Sequence, residues 1–192
     1  MVRYYDPAGL FSTDLPAAND MSVFAPQQTP EGTHILSGVI SSPGQPAPAQ
    51  GGGGFGGLST PQPTGDQSVY LVWAVEAGTA DTPESLSTTL PDFGPGVDVR
   101  LREAVQIGGH IAALVVADRA RLGRTDASGF TVVGGVGYWI QVLLPPGEWE
   151  GRREDVLRLF RSFRPGSNPA LPATQAGPPG LLIGSAIPWP VG

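Results

Sequence analysis

Apolar residues repeat at two different spacings along the chain, and these spacings predict its secondary structure. From 131 to 144 the sequence is rich in Val, Ile, Tyr and Trp, which predicts one long strand. Between 148 and 164 the apolar positions recur every three or four residues, which predicts an amphipathic helix with one apolar face. Such a helix needs a sheet or another helix to cover that face.

Shorter patterns predict the other elements. Strands are expected at 2–5, 10–15, 23–24, 34–41 and 68–77. Thr82 before Pro83 and Glu84 is typical of a helix start, so a short helix is expected at 83–90. The segments 98–107 and 110–118 alternate around Gly108-Gly109 and predict a hairpin, followed by a polar loop at 119–129.

Glycine and proline divide the chain into a folded part and two irregular segments. The chain has 192 residues with 28 Gly and 21 Pro, and these are concentrated at 42–66 and after 165. Segments of this composition are flexible and show no apolar periodicity. We therefore predict a domain at 1–165 with an inserted Pro/Gly-rich loop at 42–66. A linker and an apolar tail follow at 166–192.

Charge and cysteine content exclude several classes of function. The net charge of -6 argues against nucleic acid and anionic membrane surfaces, which attract basic proteins. The chain has no Cys, so disulfides, thiolate metal sites and Cys nucleophiles are excluded. We find no signal-peptide pattern and no apolar run of membrane-spanning length, so the expected location is cytoplasmic without membrane insertion.

Candidate catalytic patterns are few. The two histidines, His34 and His110, stand at predicted strand starts and are interpreted as structural. The glycines at 134, 135 and 137 lack the Lys-Ser/Thr of a phosphate-binding loop, and we interpret them as a bulge or close backbone contact within a strand. The acidic residues near 148–155 lack calcium-loop spacing. No cofactor or metal site is predicted.

One charged segment has two interpretations. It lies in the predicted loop and is expected to be a solvated hairpin loop, although it is also a candidate for binding an anion or a partner. Its charged residues are Asp118, Arg119, Arg121, Arg124 and Asp126.

Three short motifs resemble the PsbP/Mog1-like family, which includes photosystem accessory proteins, Mog1 and bacterial DcrB/LpqN-like proteins. The first is Tyr-Asp-Pro at 5–7 with Gly-Leu-Phe-Ser at 9–12 and Leu-Pro at 15–16. The second is Val-Gln-Ile-Gly-Gly-His-Ile-Ala at 105–112, and the third is Leu-Phe-Arg-Ser-Phe-Arg at 159–164. This chain lacks the aromatic residue that usually follows the early Leu-Pro, and its inserted loop is long.

The resemblance implies an α+β fold in which a short helix and the C-terminal amphipathic helix flank an antiparallel sheet, an α/β/α sandwich. It also implies an accessory, chaperone or docking role without known chemistry, since fold analogy carries only that much.

The C-terminal tail is the candidate partner-binding segment, together with Phe55 in the inserted loop. It is apolar, follows a Pro/Gly linker and has no predicted element to join, so it either folds back on its own domain or docks on a partner. The proposed contact residues are Leu181, Leu182, Ile183, Gly184, Ser185, Ile187 and Trp189.

These patterns favour a non-catalytic accessory or adaptor subunit that binds a protein partner in a larger assembly. One alternative is a small apolar-ligand or lipid-binding domain with a pocket between sheet and helix. A second is a cargo protein held in an encapsulin shell, because 180–185 is similar to the short cargo-loading peptides. An enzyme would require His34 or His110 to meet carboxylates in a cleft.

Overall fold

The computed structural model describes residues 1–29, 32–44, 62–63, 67–90 and 97–166. Its helices are α1 (Pro83–Thr89) and α2 (Trp149–Ser162), and a 3₁₀ turn covers Ala120–Leu122. Its strands are β1 (Val2–Tyr5), β2 (Phe11–Leu15), β3 (Asp20–Phe24), β4 (Gln27–Gln28), β5 (His34–Ser42), β6 (Val69–Glu76), β7 (Val97–Ile107), β8 (His110–Arg119), β9 (Arg124–Val133), β10 (Val136–Leu144) and β11 (Arg164–Pro165). The predicted α+β class is confirmed.

Two antiparallel sheets are built from these strands. The larger has eight strands in the order β3-β5-β6-β10-β9-β8-β7, and β4 also pairs with β5. The smaller has three strands in the order β1-β2-β11. The predicted hairpin of β7 and β8 is confirmed, with Ile107 opposite His110 across the Gly108-Gly109 turn.

The large sheet is covered on both faces, which gives three layers. On one face α2 buries Trp149, Val156, Leu159 and Phe160, and residues of the small sheet join the same core. On the other face α1 contributes Leu86 to a core that includes Trp73 and Trp139. We call these the α2 face and the α1 face.

Strand β6 contributes apolar side chains to the cores on both faces of the large sheet. Leu71 and Trp73 belong to the core of the α1 face, whereas Val72 and Ala74 belong to the core of the α2 face. Both sets are buried, because apolar residues occupy both faces of this strand. The strand lies between β5 and β10 inside the sheet.

The prediction of one long strand at 131–144 is wrong, because the chain reverses in the middle of it. Gly134 and Gly135 both have positive φ, 58° and 81°, and they form a two-residue turn between β9 and β10. The glycines at 134 and 135 therefore form a hairpin turn and not a bulge. Gly137 lies inside β10, where a side chain would press on Leu86 of α1.

The predicted polar loop at 119–129 is also wrong. The connection is limited to the 3₁₀ turn and Gly123, and β9 begins at Arg124. Arg124 and Asp126 are buried within the sheet. Their charges compensate each other in three dimensions, so a segment that looks solvated in sequence lies inside the fold.

The remaining boundaries agree with the patterns to within a few residues. The amphipathic helix begins at Trp149 and ends at Ser162, and the short helix begins at Pro83 with the Thr82 side chain accepting from the Ser85 amide. The sequence does not predict β4 or β11, because two-residue segments carry no strand pattern. The inserted loop and the tail lie largely outside the described residues.

Buried hydrogen bonds join the small sheet to the large one. The Asp6 carboxylate accepts from the Leu10 amide at 2.9 Å and from the Ser37 hydroxyl of β5. The Tyr138 hydroxyl of β10 donates to the Leu10 carbonyl at 3.0 Å. Burial, followed by the nearby Asp6 charge, raises the pKa of Tyr138 to about 12.

This raised pKa predicts a loss of stability in strong alkali. Tyr138 ionises near pH 10 when the chain is unfolded but only near 12 when it is folded, so unfolding becomes easier across that range. We expect Tyr138 to account for up to about 2 kcal/mol of the fall in unfolding free energy between pH 10 and 12. In Tyr138→Phe the fall should be smaller by that amount. Urea titrations at several pH values measure it, and identical pH profiles would refute the assignment.

Candidate functional site

The two edge strands of the large sheet, β7 and β3, differ in the side chains that they expose and in the regularity of their pairing. Strand β7 exposes Asp98, Arg100 and Arg102, and its register with β8 shifts between Val99 and Leu101. Charged side chains and bulges on an edge strand oppose pairing with another chain. Strand β7 is therefore a protected edge.

Strand β3 is the opposite edge; it has no bulge, and its one charged residue is Asp20 at the first position. It pairs with β5 in continuous register from Asp20 to Phe24, and no described residue pairs with its outer side. Met21 is 37% exposed and Val23 is 51% exposed. An edge with unpaired backbone groups and exposed apolar side chains is a template for adding another strand. We call β3 with Met21 and Val23 the open edge.

The alternation of β3 explains why these two side chains are exposed. Phe24 lies on the α1 face and packs on Trp73, with ring centroids 5.1 Å apart, which anchors the strand. Val23 lies opposite Val39, a residue of the α2-face core, so Met21 and Val23 point to the α2 face. Helix α2 makes its main contacts with the large sheet at β7, β9 and β10, on the side away from β3.

Exposed apolar residues are also found on β1, the outer strand of the small sheet. Tyr5 is largely exposed and Val2 is partly exposed. Val2 lies opposite Leu15, and residues 16–19 connect Leu15 directly to the start of β3. Only four residues therefore separate the strand that pairs with β1 from the open edge.

The charged residues near the β8–β9 turn form a compact buried cluster around one carboxylate. Asp126 accepts from Arg119 Nε at 2.5 Å, from Arg124 Nε at 2.7 Å and from Gln141 Nε2 at 3.2 Å. The Arg124 and Asp126 side chains are only 2% and 3% exposed. Both carboxylate oxygens are occupied, so the cluster joins β8, β9 and β10 and offers no open carboxylate for chemistry.

The outer charges of the same segment are less buried. Asp118 pairs with Arg100 of β7 at 2.5 Å and accepts from the Thr125 hydroxyl at 2.6 Å. Arg121 lies in the exposed 3₁₀ turn. The expectation of a solvated loop is therefore wrong for Arg124 and Asp126 and holds for Arg121.

The histidines are far from a catalytic arrangement. His34 Nδ1 lies 3.9 Å from Glu76 Oε2, and both side chains are about half exposed. His110 lies at the β7–β8 turn, at the other margin of the sheet. Within the described ranges, no three His, Cys, Asp or Glu side chains come together to hold a metal ion.

The acidic residues at the start of α2 pair with arginines along the helix surface. Asp155 pairs with Arg158 at 3.0 Å, and Glu154 pairs with Arg161. These pairs are exposed and contribute little to stability.

In the part of the chain that the structure describes, no helix is long and apolar enough to cross a membrane.

The partner-binding residues predicted from sequence lie outside the described residues. They are Phe55, Leu181, Leu182, Ile183, Gly184, Ser185, Ile187 and Trp189. Sequence reasoning missed the open edge, although it predicted a strand at 23–24. The sequence signal for this edge is a short apolar segment that lies between two turns and contains no Lys or Arg.

Several solved structures are similar to this chain in fold. A cyanobacterial PsbP (CyanoP) from a Synechocystis species is 13% identical, with 85% of this chain and 91% of that chain covered and a TM-score of 0.54. A Pseudomonas aeruginosa protein of unknown function, described as a putative regulator, is 14% identical, with coverages of 86% and 96% and a TM-score of 0.41. No family model and no curated protein matches the sequence. The chain has a PsbP/Mog1-like fold, as its motifs predict.

Proposed function

We propose that this protein is a non-catalytic accessory or adaptor module that binds a protein partner in a larger assembly. The partner docks on the open edge of β3. The observation that carries this proposal is the contrast between the two edges of one sheet, since β7 is charged and bulged while β3 is regular and exposes Met21 and Val23. The PsbP/Mog1-like fold is consistent with it.

Strand addition defines the chemistry of the partner. The outer backbone N–H and C=O groups of β3 pair with an extended segment, and Met21 and Val23 contact every second residue of that segment. A matching segment has apolar residues at alternate positions and no proline where a backbone donor is needed. Five residues of strand give a short contact, so the partner makes further contacts nearby, including with Val2 and Tyr5 of β1.

The C-terminal tail is a second proposed contact with the partner. Its apolar residues from Leu181 to Trp189, and Phe55 of the inserted loop, remain the predicted binding residues outside the described chain. Once a partner strand has taken β3, a tail on the same chain adds to the affinity because this second binding step is intramolecular.

The open edge is tested by placing a charge on it. We expect Val23→Arg to reduce capture of the native partner from lysate by about tenfold or more, because an arginine at the centre of an apolar contact loses hydration without a counter-charge. The matched control is Ile111→Arg on β8, a residue that is 73% exposed and about 24 Å away across five strand spacings. Quantitative mass spectrometry of the captured proteins gives the readout.

The control defines the contradicting result. The proposal requires a protein that is captured by the wild type and by Ile111→Arg but is lost with Val23→Arg. If both variants retain the same proteins as the wild type, the open edge is not the docking surface. Circular dichroism of each variant shows whether the fold is kept.

A further inference from the structure

We propose that, before a partner binds, the apolar segment 181–187 of the same chain occupies the open edge as an added strand. The inference rests on the proposed function, because it names what covers the same docking site in the free protein. The segment and a partner strand then compete for β3. Docking therefore depends on displacement of the tail.

The chemistry of the segment matches that of the edge. Residues 181–187 read Leu-Leu-Ile-Gly-Ser-Ala-Ile, with no charge and no proline, and prolines at 179 and 188 bound them on both sides. Every backbone N–H in this interval can donate, whereas the flanking prolines cannot. In an extended conformation Leu181, Ile183, Ser185 and Ile187 share one face, which suits the side of β3 that carries Met21 and Val23.

The linker is long enough to reach the open edge from its own domain. The described chain ends at Gly166, whose amide donates to the Leu10 carbonyl at 2.7 Å beside the small sheet. About 14 residues, 167–180, separate this point from the segment and span up to about 46–50 Å when extended. A folded domain of this size is about 40 Å across. The length of the linker therefore does not prevent the segment from docking on β3 of its own molecule.

The size of the open edge favours a tethered occupant over a second copy of the chain. A five-residue strand is about 17 Å long and offers far less than the roughly 800 Å² per partner of a stable interface. A linker of about 14 residues holds the segment that it tethers at an effective concentration near the millimolar range. A contact too weak to join separate molecules is therefore populated within one chain.

Disulfide trapping tests this inference cleanly because the chain has no cysteine. The full-length variant Val23→Cys/Ser185→Cys is oxidised with diamide at low protein concentration. We expect an intramolecular disulfide that forms about tenfold faster than in the control Ile111→Cys/Ser185→Cys, at a rate independent of protein concentration. Mass spectrometry and non-reducing electrophoresis distinguish the cross-linked monomer from a dimer.

Two results would overturn the inference. Equal trapping rates at positions 23 and 111 would mean that the segment has no preference for β3. Disulfide-linked dimers whose yield rises with concentration would mean that another copy supplies the occupant. No partner is present in this experiment, so its failure leaves the proposed function standing, whereas the failure of Val23→Arg to affect capture removes the function itself.

Hydrogen exchange of the full chain provides a second readout without cysteines. We expect Ile183→Asp to speed amide exchange in β3 while exchange in β7 stays unchanged, because a charge in the segment weakens its contact with an apolar edge. Unchanged exchange in β3 would contradict the inference.

Discussion

Asp126→Asn is expected to lower the free energy of unfolding by about 3–5 kcal/mol, the usual cost of removing one partner from a buried ion pair. Asp126 is 3% exposed and pairs with Arg119 and with Arg124, whose side chain is 2% exposed. The amide keeps the size of the side chain but removes its charge, so the buried guanidinium of Arg124 and the largely buried one of Arg119 lose the carboxylate that compensates them. Urea unfolding followed by fluorescence measures the change.

The matched control is the same substitution at an exposed ion pair. Asp155→Asn removes the partner of Arg158 on the surface of α2, where both side chains are at least half exposed. Its effect on unfolding should stay within about 0.5 kcal/mol. If the two variants have equal stability, the buried cluster does not hold β8, β9 and β10 together as we describe.

Gly38→Ala is expected to be the second large effect, at about 3 kcal/mol of destabilisation. Gly38 of β5 lies directly under the Trp73 indole, and a methyl group there would overlap ring carbons Cε3 and Cζ3. Trp73 is 1% exposed and packs on Phe24, so its ring cannot move aside without disturbing the anchor of β3. The substitution should therefore weaken both the fold and the open edge.

Gly151→Ala provides the control for this prediction. Gly151 lies within α2, and an added methyl group would meet only the Glu148 carboxylate, at 4.0 Å. Alanine in an open helical position should raise the unfolding free energy by about 0.5–1 kcal/mol. Thermal unfolding of both variants gives opposite shifts if steric overlap at Gly38 is the cause. A Gly38→Ala protein as stable as the wild type would contradict the packing.

Local sequence patterns were enough to predict most of the elements. The amphipathic helix, the alternation of β6 and the β7–β8 hairpin depend on residues near one another in the chain, so their periodicity is visible directly. The β9–β10 hairpin was missed because Gly134 and Gly135 interrupt an apolar run that otherwise resembles one strand. The sequence predicts a loop at Arg124 and Asp126 because the contacts that compensate their charges include residues on neighbouring strands.

The candidate site could not be predicted for a related reason. The segment at 23–24 was expected to be a strand, but its place at the margin of the sheet depends on pairing with β5. The exposure of Met21 and Val23 depends further on which strands α2 mainly covers. Strand order and helix placement are long-range properties that a single sequence does not specify.

Hydrogen exchange of the complex tests the docking edge most directly. The partner retained by Ile111→Arg and lost with Val23→Arg is added to the Ile183→Asp protein, in which the contact of the tail with β3 is weakened, and backbone exchange is followed by mass spectrometry. We expect the exchange of β3 amides to slow by about tenfold or more on binding, while exchange in the charged edge β7 is unchanged. Slowing at β7 or elsewhere, with β3 unchanged, would contradict it and place the docking surface on another part of the domain.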